Sequence, residues 1–157
     1  MTSMKRRIFL KGTLATGALG VAASSGLLAP RSVLAAWSKD AFEAKDINSA
    51  LSSLLGSSNL TASNRIKVKA PDIAENGAVV PVSVSTDLEG VESINIVVEK
   101  NQNPLTANFV LGAGAIADVS TRIKMGKTSS VLAVVKAGGK LYSTGKEVKV
   151  TIGGCGG

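Results

Sequence analysis

The sequence predicts a mainly β domain, an antiparallel sandwich with a short helical segment in front of it. Three observations lead there. From residue 65 onward, apolar side chains alternate with polar ones in seven or eight short runs. Turn-forming residues punctuate those runs about every 8–12 residues, the rhythm of short strands joined by turns. A helical period of 3.6 appears once only, ahead of the first run.

The helical segment starts at SKDAFEAK, where Ser38 or Asp40 can cap an N-terminus. Ile47, Ala50, Leu51, Leu54 and Leu55 then fall on one helix face, the pattern of core packing. Gly56 is a natural stop, because glycine readily takes the left-handed conformation that ends helices. SSNLTASN, residues 57–64, reads as a polar loop.

The strands follow. RIKVKA sends Ile66, Val68 and Ala70 one way and Arg65, Lys67 and Lys69 the other. AVVPVSVST places Val80, Val82 and Val84 on one face, and Pro81 predicts an edge strand or a bulge. VESINIVVE sets Ile94, Ile96 and Val98 against Asn95 and Glu99. ANFVL is a short strand. DVSTRIKM alternates Val119, Thr121, Ile123 and Met125 with Asp118, Ser120, Arg122 and Lys124. SVLAVVKA is apolar on both faces and so belongs at the centre of a sheet. Gly138-Gly139 is a hairpin turn into a strand at Lys140–Ser143, and KEVKVTI is the last strand. Together the runs describe an immunoglobulin-like sandwich.

The chain has 157 residues, enough for one domain, and a formal net charge of +7 from 18 basic and 11 acidic side chains. Position matters more than the total. Lys5, Arg6, Arg7, Lys11 and Arg31 stand in the first 35 residues, where there is no acid. What remains is 13 basic against 11 acidic side chains, scattered without a run of one sign. Aromatics for base stacking are few there: Trp37, Phe42, Phe109 and Tyr142. Nucleic acid is not an expected partner.

The front of the chain reads as an export signal. MKRRIFLKG is a basic start, TLATGALGVAASSGLLA is mildly apolar, and PRSVLAAW offers Val33 and Ala35 as small residues before a cleavage point. Gly and Ser keep the stretch too weakly hydrophobic for a preferred membrane span. Arg6-Arg7-Ile8-Phe9-Leu10-Lys11 resembles the twin-arginine motif R-R-x-F-L-K, with Lys5 where Ser or Thr is common. The expected division is a twin-arginine signal at 1–35, removed on export, a helix-plus-sandwich domain at 36–152, and a flexible GGCGG arm at 153–157. The expected location is the periplasm, with no membrane attachment once the signal is gone.

The chemical inventory is short. There is no histidine, which removes the commonest general base and metal ligand. One cysteine builds no thiolate metal site. The acids form no evident couple. Gly112 and Gly114 in LGAGA lack the spacing of a nucleotide loop. Asn76-Gly77 in AENG reads as a tight turn. Arg122 and Lys124 lie on the polar face of a strand, either solvated or facing a partner. A non-catalytic protein is expected, with no metal and no resident cofactor.

That leaves Cys155. A lone cysteine in an oxidising compartment is a buried inert thiol, half of an intermolecular bridge, or a reactive group. Its flanks are Gly153, Gly154, Gly156 and Gly157, which have no Cβ, so the backbone there is thin and permissive. Running on from a strand, such a thread could enter a narrow cleft and present the thiol as a handle. No adjacent cation or helix N-terminus depresses its pKa, which suits a carrier better than a self-sufficient catalyst.

The sequence resembles the SoxY family of thiosulfate-oxidation carrier subunits. The resemblance rests on the twin-arginine leader, APDIAENGAVVPVSV (70–84), VEKNQNPLTANF (98–109), STRIKM (120–125) and VKVTIGGCGG (148–157). Gln102 departs from the expected pattern in KNQNPL. The resemblance implies an immunoglobulin-like sandwich paired with a second sandwich subunit, SoxZ, and Cys155 carrying the sulfur substrate as a covalent adduct. It also implies transient contacts with a c-type cytochrome complex, SoxAX, a di-manganese hydrolase, SoxB, and a sulfane dehydrogenase, SoxCD. The competing readings are a thiol peroxidase or oxidoreductase, and a structural sandwich dimerised through the tail thiol.

Overall fold

The computed structural model describes residues 38–151. Two helices come first, α1 (Lys39–Glu43) and α2 (Ile47–Leu55). Nine strands follow: β1 (Leu60–Ala62), β2 (Ile66–Lys69), β3 (Ile73–Ala74), β4 (Val80–Thr86), β5 (Val91–Val98), β6 (Leu105–Val110), β7 (Asp118–Ile123), β8 (Ser129–Ala137) and β9 (Lys140–Val150). The larger sheet runs β1-β9-β8-β5-β6 with β3 also beside β9, and the smaller runs β2-β4-β7. This is the expected immunoglobulin-like sandwich with helices at its front.

The layers follow from the alternation. Ile66, Val80, Val82, Val84 and Ile123 of the small sheet face Ile94, Ile96, Val98, Val131, Ala133, Val135 and Val148 of the large one. The opposite face of the large sheet is covered by the helices: Ala41, Ala50 and Leu51 pack on Val97, Leu105, Val134 and Leu141. Burial of a side chain such as Leu51 contributes about 1.5–3 kcal/mol by removal from water. β8 is thus covered on both sides, which explains its apolar run, and it sits between β5 and β9 as expected for a central strand.

The helical segment is two helices, broken at Ala44, whose ψ of 144° is extended. Ser38 stands at the N-cap position of α1 but its side chain makes no capping bond. The working cap is Asp46, which had no part in the sequence reading. Its carboxylate accepts from the Ser49 N–H at 2.9 Å and the Ser49 hydroxyl at 2.6 Å. Gly56 ends α2 at φ 78°, as its position suggested. The Ser49 hydroxyl first, and its N–H second, hold the Asp46 carboxyl below its ordinary value of 3.8. A folded-state value below the unfolded one means the cap stabilises above the ordinary aspartate range and its contribution is lost as pH falls through the folded value. Asp46→Ala is therefore expected to melt a few degrees lower than the parent at neutral pH. The gap should close in acid, and melting curves by circular dichroism across pH check it.

Three strand expectations change. The polar loop at 57–64 contains β1, which pairs in parallel with β9 through Leu60↔Leu141 to Ala62↔Ser143. The two terminal segments are one strand: β9 runs unbroken through Gly145, where a Cβ would come within 3.3 Å of Leu132 Cδ1. Pro81 lies in the central strand of the small sheet, not at an edge. Its neighbour β2 pairs only with Ser83–Thr86, so beside Pro81 the missing N–H leaves no ladder bond unmade. The hairpin turn at Gly138 (φ 55°) and Gly139 (φ 73°) is as expected, since consecutive positive φ values match strand twist.

Asn95 reads as solvent-facing in the alternation and is fully buried. It faces the helix layer, where its polar atoms are all engaged. Its Nδ2 donates to Ser93 Oγ at 3.2 Å and to the Val134 carbonyl at 3.1 Å, and its Oδ1 accepts from Asn108 Nδ2 at 2.6 Å. A buried amide with every group bonded avoids the desolvation cost an orphan would bear.

Candidate functional site

The predicted site residues Gly153, Gly154, Cys155, Gly156 and Gly157, like the leader at 1–35, lie outside the described residues. What the structure places is the root from which they continue. That root is the end of β9, held from both sides. On one side, Lys149 and Val150 pair with Ile73 and Ala74 of β3. The Lys149 N–H donates to the Asp72 carbonyl at 2.9 Å, and the Thr151 N–H donates to the Ala74 carbonyl at 3.1 Å. On the other side the Val150 N–H donates to Thr128 Oγ1 at 2.9 Å, and that hydroxyl reaches the Val150 carbonyl at 3.4 Å. A threonine side chain here does the work of a neighbouring strand.

Three loops close around this root. In the first, Asn76 Oδ1 accepts from the Ala78 N–H at 2.9 Å, so AENG is the tight turn its sequence suggested. Gly77 has a further role that the dipeptide did not reveal. A Cβ built on it would meet the Met125 carbonyl oxygen, and would stand 2.9 Å from Val150 Cγ1. The Met125 N–H donates to the Gly77 carbonyl at 2.7 Å, clamping the two backbones together. The second and third loops are joined by Asn101. Its Nδ2 donates to the Lys124 carbonyl at 2.7 Å and its Oδ1 accepts from the Gly126 N–H at 3.1 Å. The Lys100 N–H donates to Ser129 Oγ at 3.0 Å, tying the second loop to β8.

The described parts of the segments that carried the family resemblance thus meet in space. AENG, the KNQNPL loop, the end of STRIKM and the end of β9 surround one end of the sandwich. Ile73 and Val79, both at least half exposed, stand beside them. Sequence reasoning did not find Thr128 or Asn101. Both act through side chain to backbone bonds from irregular loops, which leave no periodic trace.

The LGAGA loop is at the opposite end. It borders an open cavity of about 570 Å³ with Thr86, Leu88 and Val91. Gly114 turns the chain at φ 79° and a strand follows, not the helix whose N-terminus would bind phosphate. At the same end Glu92 is held below its ordinary range, first by Lys136 and then by the Gly139 N–H. Among the described residues no three His, Cys, Asp or Glu side chains come together as a metal site. No helix among them is long and apolar enough to cross a membrane.

Comparison with known proteins bears on the domain and on the segment that continues from the β9 root. The family model described as "Sulfur oxidation protein SoxY" matches residues 51–155, a span that includes Cys155. Among solved structures, the sulfur carrier protein SoxY from Chlorobium limicola f thiosulfatophilum is similar at 45% identity. That match has a TM-score of 0.60 and covers 66% of this chain and 94% of the other. A match to the superantigen toxic shock syndrome toxin-1 has 11% identity and a TM-score of 0.39, covers 55% of this chain and 99% of the other, and is too remote to bear on function. No curated protein matches the chain.

Proposed function

Because this chain belongs to the SoxY family of sulfur oxidation proteins, we propose that it is a periplasmic sulfur carrier that holds thiosulfate-derived sulfur covalently on Cys155. The observation that carries this reading is the root of β9. A strand fixed on both sides leads, four residues after Thr151, to the single thiol of the chain, inside the matched span. Fully extended, those four residues reach roughly 13 Å at about 3.3–3.6 Å each. Gly153 and Gly154 make the approach slim, with Gly156 and Gly157 beyond the thiol. The domain supplies an anchor and the partner enzymes supply the catalytic groups.

The chemistry follows from the thiol. Cys155 and thiosulfate combine into a cysteine S-thiosulfonate, with a new S–S bond, loss of one proton and removal of two electrons. The proposed electron acceptor is the c-type cytochrome partner, SoxAX. Water then cleaves the terminal S–S bond on the hydrolase SoxB, releasing sulfate and a proton and leaving a persulfide on Cys155. SoxCD would oxidise that sulfane sulfur further. SoxZ is the proposed stable subunit partner. The carrier itself requires no cofactor other than its covalent sulfur cargo, and exports through the twin-arginine signal at 1–35.

Intact-mass spectrometry of the mature protein from thiosulfate-fed cells, with and without reductant, tests this. The expected result is a reducible mass gain on Cys155 of thiosulfate, sulfane or sulfonate size. An unmodified thiol would overturn the reading. A doubled mass alone would instead favour a disulfide-linked dimer.

A further inference from the structure

The outer face of the small sheet is predominantly cationic. β2 contributes Lys67 and Lys69, and β7 contributes Arg122, with Lys124 just beyond its end; all four are exposed. Between them β4 presents only short side chains, Pro81, Ser83 and Ser85. The register sets Lys69 opposite Ser83, Ser83 opposite Ser120, and Pro81 opposite Arg122. The hydroxyls of Ser83 and Ser120 meet at 2.7 Å across the middle. Strands lie about 4.8 Å apart, so two cationic rows stand roughly 10 Å apart over a low polar floor.

These cations are not neutralised. None of the four has an ion pair among the described residues, whereas Lys39, Arg65, Lys136 and Lys146 each have one. Two acids of the adjoining connections are already engaged, Asp72 with Lys146 at 3.0 Å and Asp87 with Arg65 at 2.8 Å, while Glu75 and Glu89 on the turns at either end of β4 form no ion pair with the four cations. The one acid on the face, Asp118, stands at the end of β7 away from the β9 root. An ordinary solvated face intersperses both signs, since like charges side by side repel.

The rows also lead somewhere. Ile123, next after Arg122, pairs with Val80 at the end of β4 nearest the AENG turn. The Lys124 carbonyl accepts the Asn101 bond that joins two of the root loops. The cationic face is therefore continuous with the end of the molecule from which the Cys155 segment continues.

We propose that this face docks a partner protein whose active-site mouth is rimmed with carboxylates, so that the cationic rows orient the carrier as the arm enters. This rests on the carrier reading of Cys155. Charge complementarity suits such a partner because it raises the encounter rate without a large buried interface. A carrier that visits several enzymes in turn needs fast arrival and fast release.

The test uses the mature full chain with SoxZ and measures association with purified SoxAX, SoxB and SoxCD by biolayer interferometry. The variants are Lys67→Gln/Lys69→Gln, Arg122→Gln/Lys124→Gln, all four together, and Cys155→Ser. The fourfold variant is expected to associate about 10-fold more slowly at low salt with at least one enzyme, and to lose most of the salt dependence of that rate. Each double variant should fall between. Unchanged association and salt slope for all three enzymes would overturn the proposal. So would a wild-type chain that binds none of them, or a fourfold variant that merely self-associates, which would make these residues guards of the sheet edges. Cys155→Ser separates the two ideas. It should associate normally yet fail to turn over; normal turnover would end the carrier reading, while the association rates still decide the face.

Discussion

Cys155→Ser is expected to reduce thiosulfate oxidation by the reconstituted system to background while leaving the melting temperature unchanged. The exchange is nearly isosteric, so no packing argument competes. It removes the one atom able to form an S–S bond with thiosulfate, and the chain has no second cysteine to take over. The loss should be complete and not graded, because covalent attachment has no weaker non-covalent substitute. Stability should not move, because serine nearly matches cysteine in volume and the exchange leaves the bonds that hold Lys149, Val150 and Thr151 untouched. Thiosulfate-dependent cytochrome reduction and a thermal melt on the same preparation check both halves. Normal turnover by the variant would remove the basis of the proposed function. A peroxidase would give a different pattern: the parent would reduce peroxide without partners, and a carrier would not.

Gly77→Ala carries the largest expected effect on stability. The added methyl has no free space, because it points at the Met125 carbonyl oxygen and lies 2.9 Å from Val150 Cγ1. Nor does the backbone yield easily, since the Met125 N–H to Gly77 carbonyl bond of 2.7 Å draws the same two residues together. Relief requires either that bond to lengthen or Val150 to shift. Overpacking of this kind costs about 1–3 kcal/mol, which for a domain of this size lowers the melting temperature by roughly 5–15 °C. Gly126→Ala, a neighbouring glycine whose Cβ would meet nothing closer than Asn101 Oδ1 at 3.9 Å, is the control and should be tolerated. Equal melting of the two variants would mean that Gly77 is merely a turn residue. If Val150 shifts, Gly77→Ala should also slow turnover at temperatures where it is still folded, because β9 leads into the Cys155 segment.

The sandwich was legible where one physical rule governed. Val80, Val82 and Val84 alternate because one sheet face is buried, and Leu132 and Val134 break the alternation because β8 is buried on both. Asn95 was misleading for the same reason. Its polarity marks a solvent face only if that face is open, and the helices that close it are set by residues some fifty positions earlier in the chain. β1 and β3 left no signal because their pairing with β9 is made by backbone atoms over two or three residues, whatever the side chains. Composition alone singled out Cys155 and its glycines, whereas the grip on their root was invisible. Thr128 and Asn101 act at long range from loops, and nothing in a one-dimensional pattern distinguishes them from other polar loop residues.

The two-sided grip on β9 has a mechanical consequence. In the proposed role, a partner's pull on cargo held by Cys155 would run back along the chain and enter β9 lengthwise. That strand is eleven residues long and pairs with β8 along most of its length. A lengthwise load is shared among many cross-strand bonds at once, as in shear, and does not open them one at a time as peeling would. Ile73–Ala74 and Thr128 keep the last residues from lifting away, so peeling has no free end at which to start. In the proposed role, the domain can thus be tugged through the root of β9 without that strand coming undone.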